Sequence, residues 1–171
     1  MMAKVVRKKA AKKPAPKTSK KTPALFTIGY EQATVPAVLR ELTRAKVKLL
    51  VDTRAVAASR RPGFSKKVLA ASLDEQGIAY LHLQKLGTPA EGREAARAGN
   101  LDRLWRIYAK HIKTPDAQTA LDELLTLIKS GQRIALLCYC RDPRACHRDR
   151  IVAAVKERMR VKVDDLIPTL L

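Results

Sequence analysis

Short apolar runs alternate with amphipathic segments along most of this chain, and the alternation restricts the folds that it can adopt. Five strands are predicted, at residues 25–28, 48–51, 78–83, 133–138 and 161–167. Between them, apolar residues recur every three to four positions, which predicts helices from Thr34, from Ser65, and over residues 101–111, 116–129 and 147–158. Because strands alternating with helices form parallel sheets covered on both faces, the sequence predicts an α/β fold. The expected architecture is a three-layer, Rossmann-like sandwich with a mainly parallel sheet.

Two local predictions refine this outline. Thr34 and Ser65 are side chains that can cap a helix, and Val68, Leu69 and Leu73 are expected on the inner face of the second helix. Residues 84–100 contain three glycines and a proline, so they are predicted to form a long loop with at most a helical turn at residues 93–97.

Positive charge is concentrated at the N-terminus. Residues 1–24 contain nine of the 35 lysines and arginines and no acid, and the remaining 26 basic and 16 acidic residues leave a charge of +10. The stretch at 8–21 has no large apolar residue, so we predict a disordered basic tail over residues 1–23 and a single α/β domain over 24–171. Both parts favour polyanions, and nucleic acid or a nucleotide is the expected partner, although the tail could also serve only to keep the protein in solution.

Cysteine spacing and hydropathy point to a cytoplasmic protein. No apolar run approaches the roughly 20 residues of a membrane helix, and no apolar segment of a secretory signal follows the charged N-terminus. Cys138, Cys140 and Cys146 lie within nine residues, which suits a reducing compartment and a site better than a disulfide framework. We therefore expect no membrane association, and the sequence singles out no cofactor.

Polar residues follow the predicted strands. Ligands of open parallel sheets bind at the carboxyl ends of the strands, where Gly29, Asp52 and His82 are expected. Arg54 and Arg60 follow the second strand and are predicted anion ligands, with Asp52 orienting a guanidinium; the alternative is a surface ion pair with solvated charges. His82 is equally interpretable as an acid/base group or as a hydrogen-bonded structural residue.

The stretch CYCRDPRACHRDR at residues 138–150 carries the most information. Cys146 and His147 fall at the start of the last helix, where the helix dipole favours anions and can lower a thiol pKa. The leading hypothesis is an anion pocket in which Arg148 and the helix N-terminus hold a phosphate and Cys146 and His147 shape the pocket, with Cys138 as a further ligand-binding residue. His147 or His82 would act as acid or base if there is catalysis.

Three other interpretations remain open for this stretch. A zinc site would use the spacing C-x-C-x5-C-H, but structural zinc sites more often have C-x2-4-C, and Cys138 is expected within its strand, so no metal ligand is assigned. A nucleophilic cysteine is the second: Cys138 with Arg144 resembles a phosphatase phosphate loop, and YCRDPR resembles the rhodanese loop, with Cys140 as persulfide carrier. Small cysteines packed beneath the loop are the third.

Four motifs in order resemble one family. They are TIGYE at 27–31, LLVDTRAVAASRRPGF at 49–64, GIAYLHLQKLG at 77–87 and ALLCYCRDPRACHR at 135–148. The chain over about residues 25–170 is similar to the mainly bacterial family known as domain of unknown function 488, a resemblance that implies an α/β fold and a site location but no reaction. The functional residues that it implies are Gly29, Asp52, Arg54, Ser59, Arg60, Pro62, Phe64, His82, Leu86, Gly87, Cys138, Cys146, His147 and Arg148. This chain has Cys140 where many members carry a carboxylate, so a catalytic base at that position would be missing or replaced by a thiol.

The sequence thus favours an α/β domain that binds, and could act on, a phosphate-bearing ligand such as nucleic acid or a nucleotide. The first alternative is a rhodanese-like or phosphatase-like enzyme with a nucleophilic cysteine. The second is a noncatalytic nucleic-acid-binding protein that acts through its basic tail.

Overall fold

Five parallel strands form one sheet with the order β3-β2-β4-β1-β5 in the computed structural model, which describes residues 22–170. The strands are β1 (Ala24–Gly29), β2 (Leu49–Asp52), β3 (Ala79–His82), β4 (Ile134–Cys138) and β5 (Lys162–Leu166). Every pairing between them is parallel. A disordered tail is predicted over residues 1–23, and residues 1–21 of it lie outside the described residues.

Six α-helices connect the strands. They are α1 (Val35–Arg44), α2 (Lys66–Asp74), α3 (Ala90–Arg97), α4 (Leu101–His111), α5 (Pro115–Lys129) and α6 (His147–Arg158). Alternate residues of the central strands enter separate cores: Ile134 and Leu136 pack with α5 and α6, whereas Ala135 and Leu137 pack with α1 and α2. The sheet is therefore covered on both faces, which confirms the predicted three-layer α/β architecture.

The predicted first residues of α1 and α2 agree with the structure, whereas the predicted inner face of α2 agrees only in part. Thr34 caps α1 by accepting a hydrogen bond from the backbone N–H of Ala37. Ser65 occupies the N-cap position of α2, but its hydroxyl bonds to the backbone of Ser59 instead of to the helix. Val68 is 53% exposed, so its assignment to the inner face was wrong; the buried stripe of α2 consists of Leu69 and Leu73.

The long loop predicted over residues 84–100 contains a short 3-10 helix and the eight-residue helix α3. Three glycines and a proline predict a loop, but Gly92 lies within α3. A Cβ at Gly92 would lie 2.7 Å from a Thr88 methyl and 3.4 Å from Leu104, so glycine allows α3 to pack closely. The helix lies beside α4 and brings its arginines to the carboxyl end of the sheet.

The strand order opens a crevice between β2 and β4. The chain leaves β2 for α2 on one face of the sheet, whereas it leaves β4 for α6 on the opposite face. Connections that diverge in this way from neighbouring strands leave a gap at their carboxyl ends, where ligands of open α/β sheets bind. None of the helices in residues 22–170 has the length and apolar character needed to cross a membrane.

Candidate functional site

A cavity of about 500 Å³ occupies the crevice at the carboxyl ends of β2 and β4. Its walls come from the segments that follow β1, β2 and β4, and from α3 and α4. The lining contains Arg54, Arg60, Arg61, Arg93 and Arg97, together with Cys138, Cys140, Cys146 and His147. None of the described residues that line it is acidic, so its walls are strongly cationic.

A buried ion pair forms one wall. Asp52 is fully buried, and it accepts hydrogen bonds from Nε and Nη2 of Arg54 at 2.9 and 2.6 Å. The Tyr80 hydroxyl donates a further bond of 2.6 Å to the same carboxylate. Burial lowers the pKa of Arg54, but Asp52 raises it more, so the guanidinium stays charged. The prediction that Asp52 orients a guanidinium agrees with this geometry.

The other donors of Arg54 are also engaged. Nη1 donates to the Tyr30 hydroxyl at 2.8 Å and to the Phe64 carbonyl at 2.9 Å, so four of the five N–H groups are satisfied within the protein. Tyr30 stacks on Phe64 with ring centroids 4.2 Å apart. Arg54 therefore supplies a fixed positive charge and retains one N–H for a ligand.

Two arginines of the segment after β2 have free donors at the cavity. Arg61 bonds to the Ala33 carbonyl through Nη2, but its Nε is buried without a hydrogen-bond partner among the described residues. Arg60 is exposed at the cavity edge. Neither Arg60 nor Arg61 forms an ion pair within residues 22–170, so both can face an anion.

Cys138, Cys146 and His147 form a compact buried cluster at the cavity floor. The Sγ atoms of Cys138 and Cys146 lie 3.6 and 3.7 Å from Nδ1 of His147. The ligand atoms of all three residues fall within 4.8 Å of one another, so they could hold a metal ion. The strand end supplies Cys138 and the start of α6 supplies the other two, with the 3-10 turn Pro143–Ala145 between them.

Interactions within the cluster shift the pKa values of the three thiols in different directions. Burial raises the pKa of Cys146, but hydrogen bonds with the other thiols and with His147 lower it well below its usual value. Burial lowers the pKa of His147, whereas the hydrogen bond to Cys146 raises it more. For Cys138, hydrogen bonding with Cys140 lowers the pKa, but Cys146 and burial raise it to about 12. The pKa of Cys140 is raised by hydrogen bonds with both other thiols and by burial.

Arg148 and Gly29 lie behind the cysteine segment and do not line the cavity. Arg148 is 1% exposed, and it donates to the Cys146 sulfur at 3.3 Å, to the Thr27 hydroxyl at 3.3 Å and to the Cys140 carbonyl at 2.5 Å. A Cβ at Gly29 would lie 1.8 Å from that same carbonyl oxygen. Their positions therefore support the segment that carries the cysteines.

Two other predicted groups lie away from the cavity. The imidazole of His82 is held 2.7 Å from the backbone carbonyl of Arg54 and is not part of the cavity wall. Arg144, which the phosphatase resemblance paired with Cys138, is exposed and bonded to Asp142. The structure thus brings together Arg54, Arg60, Cys138, Cys140, Cys146 and His147, and it separates His82 and Arg144 from them.

Sequence reasoning missed several residues of the site. Thr53 is fully buried, and its carbonyl lies 3.0 Å from Nε2 of His147. Arg93 and Arg97 stand one helical turn apart on α3, a spacing that would have placed both on one face had the segment been predicted as a helix. Tyr30 directly follows Gly29 in the first motif, and its place after a strand end was the available signal.

The fold and the site define an open, all-parallel α/β domain with a cationic cavity where β2 and β4 diverge. A family model described as "Domain of unknown function DUF488" matches residues 34–155, and the chain belongs to this family. The match includes the segments after β2 and β4 and the first turns of α6, and so it confirms the resemblance found in the sequence motifs. A search of curated proteins found no match to the chain.

Proposed function

We propose that the domain binds a phosphate-bearing ligand, a nucleotide or a nucleotide unit of nucleic acid, in the cavity between β2 and β4. The observation that carries this proposal is that the described residues of the lining include five arginines and no acidic residue. Arginine pairs with phosphate through parallel N–H bonds, and its charge is constant over the physiological pH range. A volume of about 500 Å³ lies within the range of small-molecule sites.

The arginines divide into two groups. Arg54 uses most of its donors within the protein, and Arg93 donates to the Thr88 carbonyl, so both position the surrounding segments. Arg60, Arg61 and Arg97 line the cavity and form no ion pair among the described residues, so their guanidinium groups are available to an anion.

Tyr139 favours a nucleotide over inorganic phosphate. Its ring lines the cavity, is 45% exposed, and meets Tyr30 edge to face at a centroid distance of 5.4 Å. An exposed ring beside arginines offers a surface on which a base can stack while the phosphate meets the guanidinium groups.

Two alternatives predict different chemistry. Burial and the neighbouring thiols raise the pKa values of Cys138 and Cys140, which disfavours the thiolate that a rhodanese-like or phosphatase-like reaction needs. The tail-driven alternative would show binding with a steep salt dependence and no role for cavity residues.

Binding measurements on the full chain test the proposal. The probes are labelled nucleoside mono- and diphosphates and short single-stranded DNA and RNA, across a salt series. R61A/R97A should weaken nucleotide binding by about tenfold or more, because a hydrogen bond to a charged group contributes about 1.5–3 kcal/mol. The matched control R103A/R106A removes two exposed arginines of α4 that lie outside the cavity.

The outcomes separate the three functions. Loss of nucleotide affinity in R61A/R97A but not in R103A/R106A supports the cavity. Equal behaviour of both variants, with affinity only for oligonucleotides, rejects it in favour of the tail. Transfer of the outer sulfur of thiosulfate to cyanide with release of sulfite, or hydrolysis of p-nitrophenyl phosphate, lost in C140S or C138S, would instead support the cysteine enzyme.

A further inference from the structure

We infer that Cys138, Cys146 and His147 bind a zinc ion whose fourth coordination position opens into the cavity. The three side chains are buried, and their ligand atoms converge within 4.8 Å. Two thiolates and an imidazole are ligands that zinc prefers. The inference does not depend on the proposed function, since metal binding can be measured without any other ligand.

The distances match those of a tetrahedral zinc site. With Zn–S near 2.3 Å and Zn–N near 2.0–2.1 Å, tetrahedral angles separate sulfur from nitrogen by about 3.6 Å. The observed distances from Nδ1 of His147 are 3.6 Å to Cys138 and 3.7 Å to Cys146. A ring nitrogen has one hydrogen or one lone pair in the ring plane, so a hydrogen bond accounts for only one of these two contacts.

The other nitrogen of His147 fixes the required tautomer. Nε2 lies 3.0 Å from the Thr53 carbonyl, which can only accept, so Nε2 carries the hydrogen. The Thr53 hydroxyl donates its own hydrogen to the Leu137 carbonyl and is therefore also an acceptor toward Nε2. In the neutral ring, Nδ1 then carries the lone pair, and zinc would take the place of the proton that the contact with Cys146 favours on Nδ1 in the metal-free protein. A backbone carbonyl behind a histidine is a common support of a metal ligand.

The surroundings compensate the charge of two thiolates. Nε of Arg148 donates to the Cys146 sulfur at 3.3 Å, and that guanidinium is buried. Cys146 is also the N-cap residue of α6, where the helix dipole stabilises negative charge. These contacts would hold the Cys146 thiolate in place whether or not an anion occupies the cavity.

We assign an open fourth coordination position to the zinc because its three ligands border the cavity. Cys138, Cys146 and His147 all line the cavity, so an ion bound by them would be reached from it. Three protein ligands with one open position are typical of zinc sites that bind water or a substrate oxygen. Zinc there would face the same cavity as Arg61 and Arg97, where a phosphate oxygen could complete its coordination.

Metal analysis of the full chain gives the first test. The protein is purified under reducing conditions, and its zinc content is measured as purified and after incubation with zinc sulfate and gel filtration. We expect one zinc per chain. Cobalt(II) titration should give intense visible bands of tetrahedral cobalt and a near-ultraviolet thiolate charge-transfer band. Wild-type protein that retains no zinc and shows no such cobalt spectrum overturns the inference without any variant.

Variants test the ligands. C146S and H147A should lose the metal and the charge-transfer band. H111A removes a histidine that bonds to the Lys85 carbonyl and lies outside the cysteine cluster, and it should keep both. Bound zinc should also protect Cys138 and Cys146 of the wild type from alkylation, which mass spectrometry measures even if the variants misfold. Retention of metal by folded C146S and H147A would refute the ligand set. Loss of metal in C140S would refute the open fourth position, since Cys140 would then be a ligand.

Discussion

Replacing Arg54 by leucine should destabilise the fold by about 3–5 kcal/mol, because it leaves the buried carboxylate of Asp52 without its countercharge. Asp52 is 0% exposed and Arg54 is 6% exposed, so water cannot take over the lost interactions. The substitution also removes the bonds to Tyr30 and to the Phe64 carbonyl. After the change, Asp52 keeps the Tyr80 hydroxyl and one backbone N–H as donors.

Urea unfolding followed by circular dichroism measures the effect. With a urea dependence of about 2 kcal/mol per molar, the midpoint should fall by about 1.5–2.5 M. The matched control is R44L, whose partner Glu41 forms an ion pair at the surface, and it should change stability by less than about 1 kcal/mol. D52N/R54L should recover part of the loss, because the uncompensated charge is gone. A midpoint for R54L equal to that of R44L would refute the assigned role of the buried pair.

Three further changes test other parts of the structure. G29A should cost at least about 2 kcal/mol in urea unfolding, since its Cβ would overlap the Cys140 carbonyl; unchanged stability would show that the segment can move aside. Y139A should weaken nucleotide binding by about 1–3 kcal/mol in a fluorescence titration, while Y139F should not, and equal affinities of the two would exclude stacking. L124A removes a fully buried side chain of α5 and should cost about 2–5 kcal/mol, and a loss below about 1 kcal/mol would contradict its place in the core.

Periodicity and strand-end chemistry made much of the fold predictable. The last helix spans His147–Arg158 as predicted, because its apolar residues recur at helical spacing up to the start of the next strand signal. Asp52 and Arg54 could be placed at a strand end because an apolar run stops there. The rule that parallel strands present their carboxyl ends at one edge then located the site.

The parts of the site that the sequence did not predict depend on packing between distant segments. The wall contributed by Arg93 and Arg97 requires α3, in which Gly92 allows a close approach to the Thr88 side chain. No local pattern carries that information, since a glycine within a polar segment indicates a turn as readily as a close contact. The convergence of Cys138 with His147 likewise depends on how the turn between β4 and α6 returns the chain to the strand end.

Thr53 joins the two halves of the site. Asp52 and Arg54 belong to the wall on the α1 and α2 face of the sheet, whereas Cys138 and His147 belong to the opposite face. Between them, the backbone N–H and the hydroxyl of Thr53 bond to the Leu137 carbonyl at 3.1 and 2.8 Å, and its own carbonyl meets Nε2 of His147. A displacement of β2 relative to β4 would therefore change both the arginine wall and the orientation of the imidazole. Thr53 is therefore the structural link between the proposed ligand site at the arginines and the proposed zinc site at the cysteines.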